Sequence, residues 1–126
     1  MRSLIISGAI TLFLLLSSIG SYKYIERSSG ELVARIDTVE KLIYARNWEV
    51  AKKELDDTEQ NWEKTKDWWS VLINHEEVDK IDISLKRLEK YVETEGLSLS
   101  LGELSALKLL FGHIADTEAF TFKNIF

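Results

Sequence analysis

The run His75-Glu76-Glu77-Val78-Asp79 comes nearest to chemistry by residue type and spacing. On a helix, positions four apart share a face, so His75 and Asp79 could both reach one metal ion. A hydrolytic zinc helix, however, has histidine at both ends of H-E-x-x-H, with the glutamate as base. Here the second end is Asp79, and the only other histidine, His113, lies in an apolar stretch. The plainer reading is a solvated helix start, where Glu76 and Glu77 meet the positive end of the helix dipole. No metal site is expected, and a metal-dependent enzyme centred on His75, Glu76 and Asp79 is the weakest of three functional readings.

Four tryptophans raise a second chemistry, the stacking of a ligand on aromatic rings. Trp48, Trp62 and Trp69 recur at multiples of seven, which is the spacing of a buried helical stripe. Trp68 lies one position off that stripe. The Trp68-Trp69 pair, with Phe120 and Phe122 near the C-terminus, is therefore the candidate contact with a partner or ligand. The chain has no cysteine, which excludes disulfides, thiolate metal sites and a cysteine nucleophile. No glycine-rich phosphate loop or nucleophile elbow is visible, and the carboxylates fall on solvated faces. Neither a cofactor nor an enzymatic activity is expected.

The elements that must position these residues are helical. The 126 residues contain no proline, so no backbone donor is removed from a long helix. With 45% hydrophobic and 29% charged residues, the composition is that of a folded chain. Residues 1–27 carry Arg2, Lys23 and Arg27 against Glu26, so the acidic excess of a chain with net charge −5 lies beyond them. An acidic domain without a basic stripe disfavours nucleic acid as a partner.

From Ser3 to Tyr22 there is no charge. As a helix, such a run spans roughly 30 Å, the thickness of a bilayer's hydrocarbon core. Tyr22 and Tyr24 then fall where an aromatic belt would sit, with Lys23 and Arg27 within reach of headgroups. A bilayer contact through residues 4–22 is expected. The rival is a cleaved leader, for which Arg2 supplies the positive start and Ser18 and Gly20 the small residues. Orientation is balanced: the leader-like layout favours an exported domain, whereas Lys23, Arg27 and Arg35 after the span favour the opposite. We take the exported arrangement, a single-pass protein of the cell membrane with an extracytoplasmic domain.

Beyond the span, Ser28 and Glu31 fit a capping box, with one uninterrupted helix as the alternative. Four apolar stripes follow. The first is Leu32, Ile36, Val39 and Ile43. The second, after the N-cap candidate Asn47, is Trp48, Ala51, Leu55, Thr58, Trp62, Thr65, Trp69 and Leu72. The third, after a second box at Asn74 and Glu77, is Val78, Ile81, Leu85, Leu88 and Val92, closed by Gly96. The fourth is Leu97, Leu101, Leu104, Leu107, Phe111 and Ile114, with Ser100 and Glu103 as an internal alternative start. An offset of 49 positions aligns Val39-Glu40-Lys41-Leu42-Ile43, Asn47-Trp48 and Glu54-Leu55 with Leu88-Glu89-Lys90-Tyr91-Val92, Gly96-Leu97 and Glu103-Leu104. Each copy is a helix, a tight turn and a helix that cannot bury its stripe alone, so stacking two copies makes one core.

The anchor ending at Ser21-Tyr22-Lys23-Tyr24-Ile25-Glu26, the Asn47-Trp48-Glu49 turn with Ala51-Lys52-Lys53-Glu54-Leu55, the Trp62–Trp69 segment, Ile73-Asn74-His75-Glu76-Glu77 and Leu104-x-x-Leu107-Lys108 resemble an uncharacterised family. It is the domain-of-unknown-function family 4363, short membrane-anchored helical proteins of sporulating Gram-positive bacteria. The resemblance covers nearly the whole chain and implies a membrane-attached helical protein of the envelope or spore. It carries no catalytic residues across.

The expected fold is all-α: an N-terminal transmembrane helix followed by an antiparallel four-helix bundle built from two helical hairpins. The expected division is an anchor at 1–27, a bundle at 28–115 and an aromatic tail at 116–126. The leading functional expectation is a non-catalytic interaction or scaffold module with a protein partner or a second copy of itself. The second is an envelope domain sensing a ligand or lipid in a tryptophan-lined cavity.

Overall fold

Capping and periodicity resolve into four α-helices in the computed structural model, which describes residues 1–125 apart from the side chains of 121, 122 and 125. These are α1 (Arg2–Tyr44), α2 (Trp48–Leu72), α3 (His75–Glu93) and α4 (Leu97–Ile125). Turns of two or three residues reverse the chain each time, which forces consecutive helices antiparallel. α1 packs on α2 and α4, and α3 packs on the same two, so the four form a square antiparallel bundle. No strand occurs among the described residues.

The buried stripes follow the heptad spacing of the sequence. α1 buries Ile25, Ser28, Ser29, Leu32, Ile36, Val39 and Ile43, and α2 buries Ala51, Leu55, Thr58, Trp62 and Trp69. α3 encloses Val78, Ile81, Leu85, Leu88 and Val92, and α4 encloses Leu104, Leu107, Phe111 and Ile114. At the centre, three rings meet edge to face. Trp62 and Trp69 lie 5.4 Å apart, and Phe111 of α4 lies 6.3 Å and 5.8 Å from them across the diagonal. Edge-to-face geometry adds about 0.5–1.5 kcal/mol per pair beyond the area buried.

The repeat is visible in the backbone as well as in the sequence. Arg46 and Glu95, 49 positions apart, both take φ of 56°. Asn47 N–H reaches back to the Leu42 carbonyl and Arg46 N–H to that of Ile43. Gly96 and Glu95 do the same to Tyr91 and Val92. Each is a Schellman cap with the left-handed residue just past the helix. The expectation that Gly96 closes α3 is thus corrected by one position, since Glu95 takes the left-handed conformation and no glycine has positive φ.

Three further local expectations change. The Ser28–Glu31 capping box does not form, and α1 runs unbroken through Gly30, as the alternative reading has it. Ser28 lies on the buried face, where its hydroxyl donates to the Tyr24 carbonyl (2.7 Å) and accepts the Trp69 indole N–H (2.8 Å). At Asn74 half of the box forms: its side chain accepts from Glu76 N–H (3.0 Å), while Glu77 turns to Lys80. Ser100 and Glu103 start no helix. Ser100 is buried within α4, and Glu103 accepts from Ser84 (2.7 Å) and Arg87 (3.0 Å) on α3. α4 also continues past Asp116-Thr117, so the backbone of the expected tail is helical through Ile125.

Candidate functional site

α1 is one helix with two environments. Its 43 residues extend about 65 Å at 1.5 Å per residue. The first fully buried side chain is Ile25, and an 18-residue apolar window before it has mean hydropathy 2.0 with none of it enclosed. Leu4, Ile5, Phe13 and Leu16 are all exposed there. α4 passes the same length and composition test between Leu97 and Phe120, but weakly, and its buried face is spent on the core.

Half-buried positions carry the stripe of α1 backwards from Ile25 through Tyr22, Ile19, Ser18 and Leu15. The end of α4 lies alongside. A groove of about 210 Å³ is lined by Tyr22, Ile25 and Glu26 of α1 and by Ala115, Asp116, Glu118 and Ala119 of α4. The α2–α3 turn belongs to the same end of the bundle, since Ile73 and Asn74 share a groove with Ile114, Thr117 and Glu118. Burial holds the Glu118 carboxyl above its ordinary range.

The candidate contact residues separate here. Trp68 is 63% exposed and Phe120 is 65% exposed, both at this end. Trp69 is fully enclosed, with its indole bonded to Ser28, so it presents no surface to a partner. The side chain of Phe122 lies outside the described residues. Val71, 77% exposed and one turn from Trp68, was not singled out by spacing. It interrupts no motif, and only the bundle's facing shows that it points outward.

His75, Glu76 and Asp79 are exposed on the first turns of α3. Among the described residues, no group of three or more His, Asp or Glu is arranged to hold a metal ion. His113 lines two grooves, one between α3 and α4 beside Ile83 and Leu109, and the one at the α2–α3 turn beside Asn74 and Glu77.

Two charged seams occupy repeat-equivalent places that sequence reasoning did not single out. Between α1 and α4, Lys108 Nζ meets Asp37 Oδ1 at 2.7 Å and Glu40 Oε1 at 3.0 Å. Moving each residue by 49 positions gives Glu59 of α2 facing Lys86 and Glu89 of α3. Burial and the Glu89 carboxylate push the Glu59 carboxyl up to about 7, against the opposing pull of Lys86. Glu59 Oε1 is enclosed and has no hydrogen-bond donor among the described residues. The groove above it, about 210 Å³, is lined by Lys52, Asp56 and Glu93 among others. A carboxyl titrating near neutrality in a groove is a usual mark of acid–base chemistry. Its counterpart at Lys108 is an interhelical ion pair.

The family model described as Domain of unknown function (DUF4363) matches residues 19–125. The chain belongs to this family. No curated protein and no solved structure matches it. The family match begins within the last turn of the uncharged run and takes in all of the bundle, including both seams and both caps.

Proposed function

We propose that this family member is a membrane-anchored helical module that binds a protein partner or a second copy of itself and performs no catalysis. The observation that carries the reading is α1, whose apolar third has no partner in the fold yet continues without a break into the bundle. Exposed apolar side chains over that length are costly in water, at about 25 cal/mol per Å². A bilayer removes that cost. The domain's acidic, ion-paired faces suit an aqueous compartment, which we place outside the cytoplasm at the cell envelope. The sensing alternative has less support, because Trp62 and Trp69 pack on each other and on Phe111 rather than around a space.

The test uses a chain that contains no cysteine of its own. Lys53→Cys, at an exposed position on α2, is labelled in intact cells with a membrane-impermeant thiol reagent, followed by alkaline extraction of the membranes. Full-length labelled protein resisting extraction is the expected result. Extraction of unlabelled protein into the soluble fraction removes the anchor, and labelling only after lysis reverses the orientation. Cross-linking of the same membranes tests the interaction: adducts of defined mass are expected, and only the uncross-linked monomer would contradict the module.

A further inference from the structure

We propose that the membrane-side end of the bundle is itself a lipid-binding surface, seated in the headgroup–acyl boundary of a phospholipid bilayer by Phe120, Trp68 and Val71. The proposal rests on the anchor reading and adds to it that the domain is docked flush rather than held on a flexible tether. Helix α1 has no break between span and bundle, so its register fixes the depth of everything beside it.

The uncharged run ends at Tyr22, and Tyr22 and Ile25 share a groove with Ala115 and Ala119 of α4. Half-buried positions then extend down α1 to Leu15. α4 runs on for six residues past Ala119, which at 1.5 Å each carries it about 9 Å farther in the direction of the span. Its last two turns therefore lie beside the end of the apolar run. Any bilayer that accepts residues 4–22 must also accept Phe120, which is 65% exposed at that level.

α2 approaches this end of the bundle from another side. The Trp69–Ser28 hydrogen bond sets its register, placing Trp68 and Val71 within about two turns of Tyr22. Both project outward, 63% and 77% exposed. An indole at this depth finds the mixed apolar and polar environment that tryptophan favours at membrane boundaries. The end also carries Lys23, Arg27 and Lys123, whose long stems can reach phosphates. Glu26, Asp116 and Glu118 accompany them, so the surface suits zwitterionic lipid and gains little from anionic lipid.

The test places an environment-sensitive fluorophore on single cysteines in the full chain, reconstituted in phosphatidylcholine vesicles without spin-labelled lipid, with lipid labelled near the headgroup, or with lipid labelled deep in the acyl chain. The sites are Leu12→Cys in the span, Phe120→Cys and Trp68→Cys at the proposed surface, and Lys53→Cys on the remote part of α2. Circular dichroism of each variant confirms the helical fold. The expected result is quenching and a blue shift at Phe120 and Trp68, none at Lys53, and strong quenching by deeply labelled lipid at Leu12. Quenching at Leu12 with none at Phe120 or Trp68 overturns the docked end and leaves the anchor standing. No quenching at Leu12 overturns the anchor reading and the docked end with it.

Discussion

The seam at Lys108 and the seam at Glu59 are the same place in two copies of one hairpin, filled in opposite ways. Both join a helix of one copy to a helix of the other, and both face an acidic residue at equivalent positions, Glu40 and Glu89. At Lys108 an ammonium sits between Asp37 and Glu40, and the hydrogen bonds to these carboxylates hold its pKa above the ordinary value. At Glu59 a carboxyl occupies the ammonium's place, and Lys86 stands where the other copy has Asp37. A shared backbone thus tolerates either an ion pair or a pair of carboxyls, one of which burial makes harder to ionise. The choice decides whether a seam responds to pH.

The strongest way to break the contrast is Lys108→Glu, which leaves three carboxylates at the α1–α4 seam. A loss of about 2 kcal/mol at pH 8 is expected, below the cost of breaking a fully buried pair because the site is partly open to water. Denaturant unfolding at pH 8 and pH 5.5 measures it, and the loss should shrink at the lower pH as a proton enters.

The Glu59 seam predicts a pH dependence in the unaltered chain. Its folded pKa, about 7, lies above the ordinary 4.5, so the folded state binds the proton more tightly. The linked stabilisation is complete below pH 4.5 and is lost as pH rises through 7. After allowance for solvent screening, its size is on the order of 1 kcal/mol. In Glu59→Gln this component should vanish, leaving a flatter profile of unfolding free energy between pH 5 and 8 than in the unaltered chain. Glu59→Lys should raise stability at pH 8, because the new ammonium meets Glu89. An unchanged slope in Glu59→Gln would assign the neutral-range titration elsewhere.

The smallest effect compares the two turns. Arg46 and Glu95 hold the left-handed conformation that glycine adopts without steric cost. Arg46→Gly and Glu95→Gly should each stabilise by about 0.5 kcal/mol, the relieved strain exceeding the added freedom of the unfolded chain. Similar gains at both sites are expected if the caps are equivalent, and thermal melts of the two variants decide it.

Much of the fold was legible because its signals are local. Asn47 and Asn74 cap α2 and α3 where expected, since a side chain two or three residues away satisfies the free amides. The core positions of α3 follow from spacing alone, since a helix puts residues three and four apart on one face. The 49-position offset also survived, because paired turns and paired stripes are both written into neighbouring residues.

The rest depended on contacts between residues distant in the chain. Ser28 has the local credentials of a cap, yet α1 passes through it and its hydroxyl instead accepts from Trp69, 41 positions away. Trp68 and Trp69 are adjacent in sequence and opposite in fate, a difference of 100° around α2 that matters only once α1 and α3 close over one side. The Glu59 and Lys108 seams are invisible in any single helix, because the charge that shifts each group belongs to another one. The sequence by itself determined the number of helices, their caps, the apolar run and the duplicated hairpin, all set by short-range periodicity. Only the tertiary structure decided that the apolar run and the first bundle helix are one rod, that the aromatic end of α4 lies beside the apolar run, and that burial raises a carboxyl's pKa in one seam where its twin holds an ion pair. These depend on axial register between helices, which the interlocking of side chains across the bundle sets and no local rule contains.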